Sequence, residues 1–462
     1  MGYPLEPSRE DMRAIGDAAV EFVIDFINAL PDAPAWNTAE GLEFARELRG
    51  APPEEGRDFD PVFAEFRRAA SLAFETAGPG YLPYVPGGGF FTAALADFLA
   101  TATNRFSNLW APAPALVQME QNAIRWIEDL FSYPAESRGI LTSGGSLSNL
   151  SGIVTARKAK LGRDFLDGTY YLTDQTHASV AKAAAIAGLP SDNARTVPVD
   201  SRLRMDVDAL REMVRADRAA GFRPFLVVAS AGTTNTGAID PIADIVALSA
   251  AEDLWVHVDA AYGGFFQLTE RGRTAFAGIE LSDSITLDPH KGLFLPYGTG
   301  ALIVREGARL RAAHFAGAAY LQDLPSEDEL PNFTEYSPEL SRDFRGLRLW
   351  LPLQLHGVRA FREALDEKLD LARFLSEELS AEGSIEVPWE PQLSVVAFRL
   401  SDGDDEANRR FLERINASRR VMCSSTVIDG RYTIRACIVS HRTHRDRIEE
   451  LVEIARKAAA EG

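Results

Sequence analysis

From about residue 76 to residue 306 the chain alternates short β-rich runs with helical stretches. TYYLTD (169–174), PFLVVASAG (224–232), LWVHVDAAY (254–262) and ALIVRE (301–306) read as strands, while residues 146–160, 177–188, 207–221 and 240–252 read as helices. Parallel neighbours need a crossover between them, and the crossover helices then cover both faces of the sheet. The spacing therefore predicts an α/β fold with a mostly parallel sheet, whose ligands bind beyond the carboxyl ends of the strands.

The two ends of the chain read differently. Ser8 and Asp11 stand in capping-box spacing ahead of Met12, Ile15, Ala19, Phe22, Val23, Phe26, Ile27 and Leu30, which share one helical face. PDAPAW and APPEEG follow as a linker and a loop. The apolar stripe packs either on its own domain or, as an arm, over a neighbouring subunit; periodicity does not name the partner. After Trp350 a helix carrying Phe361, Leu365, Leu371, Phe374, Leu375 and Leu379 leads into the strand-like IEVPWEP, LSVVAFRL and YTIRACIVS. A last helix carries Ile448, Leu451, Val452 and Ala455. The expected division is a helical arm over 1–75, a large α/β domain over 76–350 and a small α+β domain over 351–462.

Charge narrows the partners. A formal net charge of -19 and a pI near 4.9 disfavour nucleic acid and anionic membrane, because phosphate binding wants a basic footprint. No uncharged run approaches the ~20 apolar residues that span a bilayer. MGYPLEPSREDMR places acidic residues where a secretory leader needs a basic start, so the expectation is a cytoplasmic protein. Cys423 and Cys437 fit neither a disulfide framework nor a metal-ligand spacing, and read as buried thiols.

Only six of the 48 basic residues are lysines. Lys158, Lys160, Lys182, Lys368 and Lys457 lie in helical patterns where a solvated head on an apolar stem is the ordinary arrangement. Lys291 alone follows a strand-like run, in SITLDPHKG, and enters the apolar Gly292-Leu293-Phe294. A desolvated lysine has a depressed pKa and attacks carbonyl carbons to form Schiff bases. Pyridoxal phosphate is one such carbonyl, and it makes further demands: a phosphate cradle, a carboxylate for the pyridine nitrogen and a group to cover the ring.

The chain offers a candidate for each. LTSGGSLSNL puts Gly144, Gly145 and Ser146 between a strand end and a helix whose apolar face is Leu147, Leu150, Ile153 and Val154. Small residues there let backbone N–H groups approach a phosphate at the positive helix end, although GGS is equally an ordinary N-cap loop. Asp259, in WVHVDAAYGG, ends an apolar strand, either as a helix cap or as the partner of a pyridine nitrogen, with Ala261 leaving room for a flat ring. His177, in DQTHASV, stands at a helix start, as a cap or as a ring-stacking imidazole. SAGTTNTGAID ends another strand with small hydroxyl residues.

Taken in this order and spacing, TSGGSLSNL, DQTHASV, SAGTTNTGAID, WVHVDAAYGG and SITLDPHKG resemble the group II pyridoxal-phosphate decarboxylases, which act on aromatic amino acids or glutamate and have the fold-type-I architecture. The resemblance implies that Lys291 carries the internal aldimine, Asp259 pairs with the pyridine nitrogen and His177 stacks on the ring. It implies that Gly144, Gly145, Ser146 and the neighbourhood of Asp288 and His290 hold the phosphate, with Thr233 beside the cofactor. It puts Tyr84, in GYLPYVPGGGF, and Trp110, in SNLWAP, in substrate-pocket segments. A mobile catalytic loop falls in 318–344, with Tyr336 expected as the proton donor in preference to Tyr320, or as a packing residue. A homodimer with sites at its interface is implied, as is loss of CO2 from an L-amino acid, by preference an aromatic one. Many members carry tryptophan after the lysine, where this chain has Gly292. An aldehyde synthase, an aminotransferase or another lyase would share Lys291 and Asp259, and a silent binding protein would share the fold. A metal hydrolase built on His257, Asp259 and His290 lacks a ligand spacing of known type.

Overall fold

The computed structural model describes residues 5–317, 330–381 and 383–461. Seven strands, β1 (Arg138–Thr142), β2 (Gly168–Leu172), β3 (Ala194–Thr196), β4 (Arg223–Ser230), β5 (Trp255–Ala260), β6 (Ser284–Leu287) and β7 (Gly300–Val304), form one sheet in the order β1-β7-β6-β5-β4-β2-β3. β7 runs antiparallel to β1 and β6, and the other pairings are parallel. Alternate residues serve opposite faces, as the pleat requires. Val227, Ala229, Val256, Val258 and Ile285 enter one apolar cluster, with the helices Pro114–Leu130, Val207–Ala219 and Ile242–Ala251. Leu226, Val228, Trp255 and Leu302 enter the other, under the helices Gly145–Lys160 and Ala178–Ile186.

This architecture agrees with the α/β expectation and orients the site. The parallel strands all point their carboxyl ends to one edge, and the antiparallel β7 starts there, so the turns after β1, β2, β4, β5 and β6 converge with the turn before β7. One detail differs. The helix Gly145–Lys160 turns Gly145, Ser148, Asn149, Gly152 and Ala156 inward, while Leu147, Leu150 and Val154 are only half-buried. The reason is proximity: a Cβ on Gly152 would lie 2.7 Å from His257 Cε1, and one on Gly145 would lie 3.1 Å from the Ala261 Cβ. A helix this close to a sheet must present small side chains.

A second, four-stranded sheet has the order β10-β11-β9-β8, with β8 (Ile385–Glu386), β9 (Val395–Leu400), β10 (Ser424–Ile428) and β11 (Arg431–Cys437). Its apolar core takes Val396, Phe398, Ile434 and Ala436 together with Leu371, Leu375, Ile448 and Leu451 from the helices Gly346–Ser380 and Arg445–Ala460. The sequence reading passed over β10, because SSTVI is a half-exposed edge strand with little apolar signal. The helix Gly346–Ser380 reaches from the large sheet to the small one and breaks at Gly357, whose φ of 71° only glycine adopts without strain.

At the amino-terminal end, the helix Arg9–Ala29 carries the expected capping box: Ser8 Oγ accepts from the Asp11 N–H at 3.1 Å, and Asp11 Oδ2 accepts from the Ser8 N–H at 3.3 Å. Phe22 packs edge-on against Phe63 and Phe66. No residue of this helix is buried, and Met12, Val20 and Ile24 are exposed. No helix of the described residues is long and apolar enough to cross a membrane.

Candidate active site

A cavity of about 370 Å³ opens at the carboxyl edge of the large sheet. Its wall brings together Gly144, Gly145 and Ser146 after β1, His177 after β2, Thr233 after β4, Asp259 and Ala261 at the end of β5, and Asp288, His290 and Lys291 after β6. Residues scattered over 148 sequence positions, from Gly144 to Lys291, therefore meet because each ends a strand of the same sheet.

Lys291 sits in the short helix Pro289–Gly292 with its side chain 21% exposed. Its Nζ lies 2.8 Å from Asp288 Oδ2. Burial, the largest influence, disfavours the ammonium, but the charge and hydrogen bond of Asp288, followed by Asp259, outweigh it and hold Lys291 above the usual lysine value. The expected depressed pKa is thus corrected. The apolar followers do desolvate the amine, yet the carboxylate three residues earlier keeps the proton on it. Asp288 accepts only, so it offers an anion no donor; its geometry suits the lysine rather than a phosphate. Its other oxygen, Oδ1, is buried with no partner among the described residues.

Asp259 is buried, and both its oxygens receive N–H donors: Oδ1 from the Ala261 backbone at 3.1 Å, Oδ2 from Asn149 at 3.0 Å. His177 caps the helix Ala178–Ile186, its Nδ1 2.7 Å from Ser179 Oγ. His290 donates from Nδ1 to the Thr299 carbonyl at 2.6 Å; burial, partly opposed by Asp288, pushes its pKa down. Thr233 Oγ1 accepts from the Ala238 N–H at 3.1 Å and closes the turn after β4. Asp240 braces the same turn, accepting the Ser230 and Met205 N–H groups at 2.7 Å each, and burial lifts its pKa to about 6.

These residues fit pyridoxal phosphate. The first-turn N–H groups of Gly145 and Ser146 have no intrahelical acceptor and face the cavity, an anion site that a Cβ on Gly145 would crowd against Ala261 and Asp288. An amine, a buried carboxylate and an imidazole complete the donor set. The metal alternative has no support: His257 is fully buried, with Nδ1 2.8 Å from Ser284 Oγ and Nε2 3.0 Å from Asn149 Oδ1, and the described residues contain no cluster of three potential ligands.

Other expected site residues stand off the wall. Tyr336 is buried in the apolar cluster with Ile140, Leu302 and Leu310, following a 3-10 turn (Phe333–Glu335) that tucks it inward, and it is not among the described residues of this wall. Tyr320 and the rest of 318–329 lie outside the described residues. Tyr84 is 58% exposed, and its carbonyl accepts from Arg435 at 2.9 Å; Arg435 also holds the carbonyl of Thr234, a wall residue. Trp110 is half-buried, its backbone N–H bonded to Asn332 Oδ1 at 3.2 Å. The wall also includes Asn149, Ser179, Tyr262 and Tyr297, which the sequence reading did not single out. Asn149 had a signal: it falls four residues after Gly145 and three before Gly152, on the small-residue stripe.

The pyridoxal-dependent decarboxylase conserved domain matches residues 45–401. An aromatic-L-amino-acid decarboxylase of Bacillus atrophaeus is 34% identical over 100% of this chain and 97% of its own. Tryptophan decarboxylase 1 of Oryza sativa subsp. japonica is 29% identical over 100% of this chain and 96% of its own. A crystal structure of Oryza sativa TDC with PLP and tryptamine superposes with a TM-score of 0.94 at 27% identity, covering 100% of this chain and 99% of that one.

Proposed function

This chain belongs to the pyridoxal-dependent decarboxylase family, and from that premise we propose that it converts an aromatic L-amino acid to its amine and CO2. The observation that carries the reading is the convergence of Lys291, Asp259 and His177 on one cavity whose described wall contains no arginine. A substrate with a side-chain carboxylate would leave that charge without a guanidinium partner, whereas an uncharged aromatic side chain needs none. The relatives named for tryptophan and aromatic amino acids support the same choice.

When bound, pyridoxal phosphate supplies the electron sink for the pair left behind as the carboxylate departs. Lys291 would hold it through Nζ. Asp288 Oδ2, at 2.8 Å, would hold and orient Nζ in its protonated form until the proton is passed on as the amine attacks. Asp259 receives N–H donors on both oxygens, remains an acceptor, and so keeps a proton on the ring nitrogen. Gly144, Gly145 and Ser146 would hold the phosphate, His177 would cover the ring, and Thr233, Ala261 and His290 shape the wall. Tyr84 and Trp110 belong to the substrate side. Tyr336 is the candidate for returning a proton to Cα, with Tyr320 of the same segment as the alternative.

The exposed Met12, Val20 and Ile24 of the first helix support a homodimer in which that arm lies over the partner. The two sheets support a division into 1–75, 76–350 and 351–462, with the helix Gly346–Ser380 spanning the second boundary. A cytoplasmic location accords with Cys423 and Cys437 as buried free thiols.

A CO2-release screen of aromatic and acidic L-amino acids with wild type and Lys291→Ala tests the reading. Release from an aromatic substrate, abolished in the variant, is expected. Wild-type release by the variant, or release from acidic substrates alone, overturns it. Aldehyde, ammonia and hydrogen peroxide in place of amine would mark an oxygen-consuming aldehyde synthase.

A further inference from the structure

A buried hydrogen-bond chain runs from the sheet core to two sides of the cavity, and the direction of every proton in it follows from its ends. The Trp255 indole N–H, which only donates, lies 2.8 Å from Ser284 Oγ. The Asp259 carboxylate, which only accepts, lies 3.0 Å from the Asn149 side chain. The Asn149 atom facing Asp259 must therefore be the amide nitrogen, which leaves Oδ1 facing His257 Nε2 at 3.0 Å. An amide oxygen cannot donate, so Nε2 carries the His257 proton, and Nδ1 takes the Ser284 hydroxyl hydrogen across 2.8 Å. Thr286 Oγ1, 3.3 Å from Nε2, is a secondary contact.

The other N–H of Asn149 goes to Ser179 Oγ at 3.0 Å. Ser179 Oγ is 2.7 Å from His177 Nδ1, and the Ser179 backbone N–H donates to the same nitrogen at 3.3 Å. Nδ1 is thus an acceptor, and the proton of a neutral His177 stands on Nε2.

We propose that Asn149 is a positioning residue of the decarboxylase: one amide hydrogen orients the Asp259 carboxylate, and the other, through Ser179, fixes His177 as the Nε2–H tautomer. The proposal rests on the cofactor reading and deepens it. Asn149, Ser179, Asp259, His257, Ser284 and Trp255 are all buried, so bulk water competes little for the bonds among them, while the Ser179–His177 bond is only part-buried. Burial, partly opposed by Asp259, pushes the His257 pKa well below the histidine range and keeps the ring neutral, as the proton directions require. Aspartate at 149 would set a second carboxylate against Asp259. An apolar residue would strip Asp259 Oδ2 and His257 Nε2 of their partner. Gly152 is the residue that admits the His257 ring beneath the helix.

The test measures two quantities: the dissociation constant for pyridoxal phosphate added to apoenzyme, and the ring 15N shifts of His177 in histidine-labelled protein. Asn149→Ala is expected to weaken cofactor binding by ~10- to 100-fold, the cost of orphaning buried polar groups, and to mix the His177 tautomers. Ser179→Ala is expected to mix the tautomers with a smaller loss of affinity. His257→Gln, whose amide N–H restores a donor to Asn149, recovers most of the affinity that His257→Leu loses. Wild-type affinity and an unchanged His177 signal in Asn149→Ala overturn the proposal, whatever happens to the melting temperature. Should Asn149→Ala fail to fold, an unchanged His177 signal in Ser179→Ala, or equal affinities for His257→Gln and His257→Leu, overturns it instead. Failure of wild type to take up pyridoxal phosphate removes the cofactor reading itself; normal uptake with unaltered variants removes only the role of Asn149.

Discussion

The helix Arg9–Ala29 has a continuous apolar stripe and buries none of its residues, whereas the helix Gly145–Lys160 presents glycine, serine and asparagine inward and buries eight of its 16 residues. Both are consequences of what each helix faces. The first is only partly covered by its own chain, through Phe63 and Phe66 on Phe22, and leaves Met12, Val20 and Ile24 exposed, so its apolar residues report a need for a partner. The second lies against a sheet edge where a ring, a carboxylate and an anion must fit, so its inward face is small and polar. An apolar pattern says that a surface will be covered; a small polar pattern inside a fold says that neighbouring groups approach the backbone closely, as His257 and Ala261 do here.

The sharpest break of this contrast exchanges glycines. Gly152→Val drives a branched side chain into His257, and the expected result is a loss of about 3 kcal/mol or more of stability together with lost cofactor uptake, read by thermal unfolding and by cofactor titration. Next in size, Val20→Asp combined with Ile24→Asp removes apolar surface available to a partner. At about 1.5–3 kcal/mol for each side chain buried in the proposed dimer, association should weaken by roughly a hundredfold or more while the fold stays intact; light scattering would read a shift from the proposed dimer to monomer.

The buried ring on the second side gives a pH signature. His257 is held neutral below its ordinary value of 6.5, so the unfolded chain binds the extra proton as pH falls through 6.5. The His257 contribution therefore falls by about 1.4 kcal/mol per pH unit below that point until the depressed folded value is reached, and is constant above it. His257→Gln lacks this slope, so its melting temperature should fall less than that of wild type between pH 7 and pH 5. The smallest effect is on the arm: Gly16→Ala meets nothing within 4 Å and should stabilise the helix by about 0.5–1 kcal/mol, the reverse of the Gly152 result.

The same contrast explains what the sequence made legible. β4, β5 and β7 are visible because strands covered on both faces are almost wholly apolar, and Lys291, Asp259 and His177 are visible because each ends such a strand. The arm's stripe and its Ser8–Asp11 box were equally plain. What stayed hidden depends on distances that periodicity does not carry. The inward face of Gly145–Lys160 is only partly legible: Ile153 is buried and Leu150 and Val154 pack on the same cluster, but the glycines that the close sheet selects carry no apolar signal. Asn149 looked like a helix residue until Asp259 and His257, more than a hundred positions later, were found at its two amide atoms. The state of Lys291 was inferred from its apolar neighbours, yet Asp288, in the same quoted stretch, decides it. Tyr336 looked like a loop residue because a 3-10 turn leaves no sequence period by which its burial could be read.

The central claim, that Lys291 alone among six lysines holds the cofactor, has a direct measurement: borohydride reduction of the enzyme loaded with pyridoxal phosphate, followed by peptide mass spectrometry. The account predicts a pyridoxyl group on the peptide containing Lys291 and on no other. A label on Lys368 or on any helical lysine, or its absence from Lys291 in protein that retains bound cofactor, would contradict it.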